Sequence, residues 1–158
     1  MVVADALVSL DGALVRLRRL WSAPRRMLID DTGRHVEMSS VLVVEACALG
    51  AVRDVEVGVN DVAEFTDVAP STASRLVDRA VRAGLVHRTS SPRDSRRSAL
   101  TLTPAGEALR NRAVTTRLAW LAAVVDDWDD ADRDTLAGLL GRFAESVAST
   151  AEDPRQEN

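Results

Sequence analysis

Residues 70–106 read PSTASRLVDRAVRAGLVHRTSSPRDSRRSALTLTPAG, and two features of this stretch decide the fold: a switch of hydrophobic period and a concentration of arginine. Ala73, Leu76, Val77, Ala80, Val81 and Gly84 recur at alternating intervals of three and one. Ser71, Ser74, Arg75, Asp78, Arg79 and Arg82 repeat those intervals, set off by two positions. Sets so spaced occupy opposite sides of an α-helix, one apolar and the other polar and mostly basic. Pro70 suits the first helical position, where its missing N–H costs nothing, and Gly84 suits the end. After Gly84 the pattern changes. LVHRTS and SALTLT are rich in Leu, Val and Thr and are joined by the polar SPRDSRR, which reads as a β-hairpin with a loop at its tip.

Upstream, Asn60 and Asp61 offer caps for a short helix, DVAEFT, and Asp67–Pro70 separate it from the amphipathic helix. A short helix, a tight turn and a second helix form a helix-turn-helix, and the hairpin after it makes a winged helix. VEVGV (55–59) alternates and reads as a short edge strand. The helix SVLVVEACAL, capped by Ser39 or Ser40 and ending near Gly50, is apolar nearly all round and is expected at the centre of the core. Before it, a loop carries Asp30, Asp31 and Gly33. At the N-terminus Leu7, Leu10, Leu14, Leu17 and Trp21 form a heptad-like stripe on a helix over about 4–22, stopped by Pro24.

Downstream, Thr103-Pro104 reads as the cap and first position of a helix to about Trp128. Asp129, Asp130 and Asp132 then sit in the first turn of a last helix, where acids meet the positive end of the helix dipole. Leu136, Leu140, Phe143 and Val147 form its stripe, with Leu139 and Ala144 beside it. Three amphipathic terminal helices either close over their own core or interlock with a second copy. The second is the expectation, because twofold DNA sites call for twofold proteins. The fold class is therefore mostly α (α+β): a winged helix-turn-helix with terminal helices forming a dimerisation region. The divisions expected are 1–38 (N-terminal dimerisation helix and loop), 39–103 (winged helix-turn-helix), 104–149 (C-terminal dimerisation helices) and a disordered tail, 150–158.

Charge points to a partner. The chain has 158 residues and a net charge of −4, with 46% hydrophobic and 28% charged residues, as a soluble globular domain has. Residues 71–117 nonetheless hold ten arginines against Asp78, Asp94 and Glu107, while 118–158 hold three arginines against ten acids. A basic middle in an acidic chain suggests an anionic partner, although a solvated helix face accounts for charge alone equally well. Placement on a helix-turn-helix favours double-stranded DNA. Ser71, Thr72, Ser74, Arg75, Asp78 and Arg79 lie along the exposed face of the recognition helix, where small hydroxyls admit the backbone to the major groove and arginines reach guanine edges or phosphates. The wing tip carries Arg93, Asp94, Arg96 and Arg97. Asp94 repels phosphate and is expected to pair with an arginine of its own loop, shaping a tip suited to the electronegative minor groove.

Other chemistry finds little support. Cys47, in the most apolar helix, reads as a buried structural thiol, whereas a redox sensor needs exposure and a lowered pKa. One cysteine forms no internal disulfide framework and suits a reducing compartment. His35 and His87 lack paired ligand spacing, and His87 is expected on a strand packed against the body. DDWDDADRD is accounted for by a capped helix start without a metal. No nucleophile–base pair, phosphate-cradling loop or cofactor fingerprint is present, so neither an enzyme nor a bound cofactor is expected. The N-terminus lacks the basic region of a signal peptide, and no apolar run has the length of a membrane span, so a cytoplasmic protein is expected.

The run from Thr72 to Gly106 resembles the signature of the MarR family of transcriptional regulators. Its elements here are Gly84-Leu85-Val86-His87-Arg88 after the recognition helix, Asp94-Ser95-Arg96 in the wing, and Leu102-Thr103-Pro104-Ala105-Gly106 at the end of the hairpin. The match is dense over about 57–110 and agrees in order over the rest. The resemblance implies a homodimer joined through its terminal helices that usually represses genes and often leaves DNA on binding a small-molecule effector. Many members carry an arginine between the Asp and Arg of the wing; this chain has Ser95 there, flanked by Arg93 and Arg97. The family's peroxide-sensing branch has its cysteine near the N-terminus and close to tyrosines, and this chain has neither feature. Trp21, Trp120 and Trp128 suit an effector pocket or core packing alike. The alternative is a winged helix that binds protein in place of DNA, as an antirepressor or scaffold.

Overall fold

The computed structural model of the chain describes residues 2–22, 28–29, 35–90 and 98–151, with side-chain surroundings for 5–17, 36–90 and 98–150. Among the described residues six helices and four strands follow in the order α1 (Val2–Ser22), β1 (Leu28–Ile29), β2 (His35–Val36), α2 (Met38–Val52), α3 (Val59–Thr66), α4 (Pro70–Arg82), β3 (Val86–Ser90), β4 (Ser98–Leu102), α5 (Pro104–Val124) and α6 (Asp130–Ala151). Each strand pair is antiparallel, with Ser90 opposite Ser98 at the base of the wing and Val86 opposite Leu102 at its root. The chain divides into two compact units within α5, after Ala113.

In the first unit α2 is the central helix. From Ser40 to Gly50 every residue except Leu42, Glu45 and Leu49 is buried, as its all-round apolarity requires. Against it pack Val62 and Ala63 of α3, Ala73, Val77 and Ala80 of α4, Leu85, Val86 and Leu100 of the wing, and Leu109 and Ala113 of α5. The α4 side chains in that set are small, which lets the helix backbone lie close to α2 and α3. Each fully buried Val or Leu contributes about 1.5–3 kcal/mol relative to exposure. Leu76 and Val81 widen the apolar face and are partly buried.

The exit from α4 is a Schellman motif. Gly84 takes φ of +71°, its N–H donates to the carbonyl of Val81, and the N–H of Leu85 donates to that of Ala80. Thr103, the residue before α5, then binds this turn. Its hydroxyl donates to the carbonyl of Gly84 at 2.6 Å and accepts from the N–H of Gly106 at 3.0 Å, while its N–H donates to the carbonyl of Leu85. Gly106 lies flat on that Leu85 carbonyl, and a Cβ at this position would collide with the oxygen. The Gly-Leu and Leu-Thr-x-x-Gly segments, some twenty residues apart, thus form one joint between α4 and α5. Arg110 of α5 adds an ion pair with Glu45 of α2 at 3.8 Å.

Several local expectations change in detail. Helix α3 begins at Val59 rather than at an Asn60 or Asp61 cap; Asp61 acts from inside the first turn, its carboxylate accepting the N–H of Gly58 at 2.7 Å. VEVGV is not a strand over its length: Val57 alone bridges Leu100, whose N–H donates to the Val57 carbonyl. The β1–β2 ribbon, two residues a side, is too short for a period to reveal. In the second unit α5 stops at Val124, four residues before the expected Trp128, and Asp129 is the cap of α6, its carboxylate accepting the N–H of Asp132 at 2.7 Å. Arg133 explains the early stop. Its guanidinium donates to the carbonyls of Val125 and Asp126 and pairs with Asp130, which satisfies the end of α5 from the first turns of α6. Helix α6 runs to Ala151, so the first residues of the expected tail are helical; the rest of it lies outside the described residues.

The joint sets the first prediction. Gly106→Ala is expected to lower unfolding stability by about 1–3 kcal/mol, as overpacking against a fixed carbonyl does, whereas Ala105→Gly, one position away and exposed, lowers it by less, since a first-turn position feels little of the glycine penalty. Urea denaturation of both variants measures the difference.

Candidate nucleic-acid interface

Burial of the apolar side of α4 leaves its polar side outward. Ser71, Thr72 and Arg75 are exposed and Ser74 is half-buried. Among the described residues Arg75 makes no hydrogen bond or ion pair within the chain. The first two turns of the helix therefore present three hydroxyls and one uncommitted guanidinium, a set that can reach both base edges and phosphates.

The second half of this face is occupied differently. Arg79 Nη1 donates to Glu37 Oε2 at 2.8 Å, and Arg88 Nη2 of β3 donates to Asp78 Oδ1 at 3.0 Å. Glu37 directly precedes α2 and also accepts from the hydroxyl of Ser39 at 3.2 Å. The hydrogen bond from Arg79, followed by that from Ser39, holds the Glu37 carboxyl below the usual carboxylate range. Both pairs are solvent-exposed and each contributes little to stability. What they change is availability: Arg79 and Asp78 lie on the expected face but are engaged with partners inside the chain. Glu37 was not legible as part of this surface, because 42 residues separate it from Arg79 and no helical or strand spacing links them. Arg88 had a motif to mark it but nothing to indicate Asp78 as its partner.

The wing strands bring Ser90 and Ser98 together. Arg93, Asp94, Arg96 and Arg97, with the pairing expected of Asp94, lie outside the described residues. Of the expected dimerisation stripes, Leu7, Leu10, Leu14 and Leu17 on α1 and Leu136, Leu140, Phe143 and Val147 on α6 are between 36% and 60% exposed, far more than core residues of a self-sufficient chain. The Trp21 side chain lies outside the described set. Trp120 and Trp128 are also exposed.

The remaining candidates separate clearly. His87 is exposed on β3, not packed against the body: Val86 at the root of the strand is buried, and the four residues after it are all exposed. Cys47 is buried in α2, and burial pushes its thiol up to about 11. Among the described residues no three His, Cys, Asp or Glu side chains are grouped to hold a metal ion, and no helix is long and apolar enough to cross a membrane. An open hollow of about 220 Å³ lies between the end of α2 and α3, lined by Leu49, Arg53, Val55 and Phe65 among others.

Comparison with known proteins agrees with the resemblance. Residues 39–97 match the family model described as MarR family. Solved structures with the same fold include a MarR transcriptional regulator from Methanosarcina mazei Go1 (16% identity, 73% of this chain and 80% of that one, TM-score 0.60). They include MarR itself (23%, 69% and 74%, 0.59) and the PcaV transcriptional regulator from Streptomyces coelicolor in complex with its natural ligand (22%, 71% and 77%, 0.51). No curated protein matches the chain.

Cys47 generates a pH prediction. A thiol whose pKa rises from 9.0 unfolded to about 11 folded contributes stability that is complete below pH 9 and lost as the pH climbs from 9 through 11, because the unfolded chain releases the proton first. The chain has neither Lys nor Tyr, so no other side chain ordinarily titrates in that window. Unfolding free energy is expected to fall by at most about 1.4 kcal/mol per pH unit between pH 9 and 11. Chemical denaturation of Cys47→Ala should show that slope removed.

Proposed function

We propose that this chain, which matches the MarR family model over residues 39–97, is a sequence-specific DNA-binding transcription regulator that acts as a homodimer on a roughly palindromic operator. The observation that carries this reading is the outer face of α4. Ser71, Thr72, Ser74 and the uncommitted Arg75 stand on a helix whose opposite face is locked into the core by Ala73, Val77 and Ala80. In the proposed complex the first turns of α4 enter the major groove, Arg75 reads guanine or grips phosphate, and Arg96, with Arg93 and Arg97, grips the flanking minor groove. Asp78 shapes this surface through Arg88.

The divisions 1–38, 39–103 and 104–149 take the roles of first dimerisation segment, DNA-binding domain and second dimerisation segment. The exposed stripes of α1 and α6 support the twofold assembly, which sets two α4 helices about 34–36 Å apart on successive major grooves. Repression is the outcome proposed, with release by a small-molecule effector that changes that spacing. PcaV, whose structure was solved with its natural ligand, shares the fold and supports an effector-bound state. The chain is proposed to work without catalysis or cofactor, in the cytoplasm.

Fluorescence anisotropy on DNA from upstream of its own gene, run as a salt series against a scrambled duplex, tests the reading. Tighter binding to the upstream duplex is expected, with a log–log salt slope that steepens by about 0.9 for each phosphate neutralised. Arg75→Ala is expected to weaken binding to the upstream duplex at least tenfold, the scale of one lost arginine–guanine contact. Salt-insensitive binding, unchanged by Arg75→Ala and Arg96→Ala, would instead favour a protein partner.

Assembly is tested separately by sedimentation equilibrium. The expected mass is about twice the 17.0 kDa of one chain. Leu140→Asp with Phe143→Asp is expected to give a monomer, since burying either carboxylate at an apolar interface is strongly unfavourable.

A further inference from the structure

We infer that Glu37 is an internal competitor of DNA for Arg79, occupying on the free protein the guanidinium that a phosphate takes in the complex. The inference rests on the DNA-binding reading above and adds to it a residue outside the helix-turn-helix and the wing. Its basis is geometric. Arg79 lies on the outer face of α4, one turn beyond Arg75, and its Nη1 sits 2.8 Å from Glu37 Oε2. Glu37 reaches it from the residue before α2, in extended conformation, with its carboxylate steadied by the hydroxyl of Ser39. The two side chains are 47% and 64% exposed, so the pair stands at the surface that meets DNA rather than inside the core.

A carboxylate and a phosphate oxygen make the same charge-assisted hydrogen bond to a guanidinium. Two consequences follow when DNA approaches. Arg79 must exchange one anion for the other, which cancels most of the gain from its phosphate contact. The released carboxylate then lies a few ångströms from the DNA backbone and repels it. Both effects lower affinity for any duplex, because phosphates are present whatever the sequence. Arg75 has no such partner among the described residues, so its contact is made at full strength. Glu37 thereby reduces the sequence-independent part of binding.

The Asp78–Arg88 pair on the same face does not have this property. Its acid is on α4 and its base on β3, so it ties two elements of one domain together at 3.0 Å. In the Arg79 pair the recognition helix supplies the cation, and the anion comes from the segment leading into α2.

The test is a double-mutant cycle of Glu37→Gln and Arg79→Ala, read by fluorescence anisotropy on the upstream and scrambled duplexes over a salt series. Glu37→Gln keeps the size of the exposed side chain and is expected to leave the melting temperature unchanged. It is expected to raise affinity about fivefold at low salt on both duplexes alike, the factor that one unit charge a few ångströms from another is worth in water. The log–log salt slope is expected to steepen by about 0.9, one additional phosphate. In the Arg79→Ala background the same substitution is expected to gain clearly less, keeping only the part that relief of repulsion between the carboxylate and the DNA backbone contributes. Unchanged or weaker binding by Glu37→Gln alone would overturn the inference, since Glu37 would then be inert or would hold Arg79 in place for DNA. An equal gain with and without Arg79 would also overturn it, because the carboxylate would be acting without the arginine. If the wild type shows no salt-dependent DNA binding, the DNA-binding reading fails and this inference with it. Binding by the wild type without the Glu37 effect removes this inference alone.

Discussion

The arrangement depends on the joint where Thr103 meets the turn after α4. One hydroxyl donates to the carbonyl of Gly84 and accepts the N–H of Gly106, and the close approach of Gly106 to the Leu85 carbonyl leaves no room for a side chain. Both hydrogen bonds satisfy groups that helix ends otherwise leave open: a carbonyl beyond the end of α4 and an N–H in the first turn of α5. Because the bonds are shared, the end of one helix and the start of the next are positioned together. The wing hangs between them, with its root, Val86 opposite Leu102, adjoining the same joint. A small error here would rotate α4 relative to the rest of its domain and move every group on its outer face.

Burial and charge then divide the work. The core of the first unit is built largely of Val and Ala on α2, α3 and α4, with Leu85, Leu100 and Leu109 closing it, so the helices lie close and α4 has little freedom to shift. A rigid inner face fixes where the side chains of the outer face stand. On that outer face the structure distinguishes arginines that composition treats as equal. Among the described residues Arg75 is uncommitted, Arg79 is held by Glu37, and Arg88 is spent on Asp78. A count of basic residues overstates the charge this surface leaves free. The terminal helices have the opposite character: apolar stripes stand exposed along both α1 and α6.

Local pattern made much of this readable in advance. The interleaved apolar and polar sets on α4, Pro70 at its start and Gly84 at its end are properties of a few adjacent residues, and the helix forms within the bounds they set. The hairpin was equally legible from its change of period. Failures occurred where local pattern is weak or ambiguous. The alternating run Val55–Val59 was not enough to make a strand: only Val57 found a partner, and Val59 opens α3. The end of α5 was misplaced because Arg133 satisfies the carbonyls of Val125 and Asp126 from the next helix, which ends the helix without a glycine or proline to announce it.

The sequence by itself determined the winged helix, the polar outer face of α4 and the amphipathic stripes of the terminal helices, because periodicity depends on neighbours three and four positions apart. It also carried the motifs Gly84-Leu85 and Thr103-x-x-Gly106 as separate marks, without their meeting. Only the tertiary structure decided that these marks share one set of hydrogen bonds, that Arg79 faces Glu37 across 42 residues of chain, and that His87 points outward while Val86 points in. The physical reason is the range of the forces. Helix and strand propensities act over a single turn or pleat, whereas an ion pair or a shared cap depends on where folding brings distant residues, and no spacing along the chain records that distance.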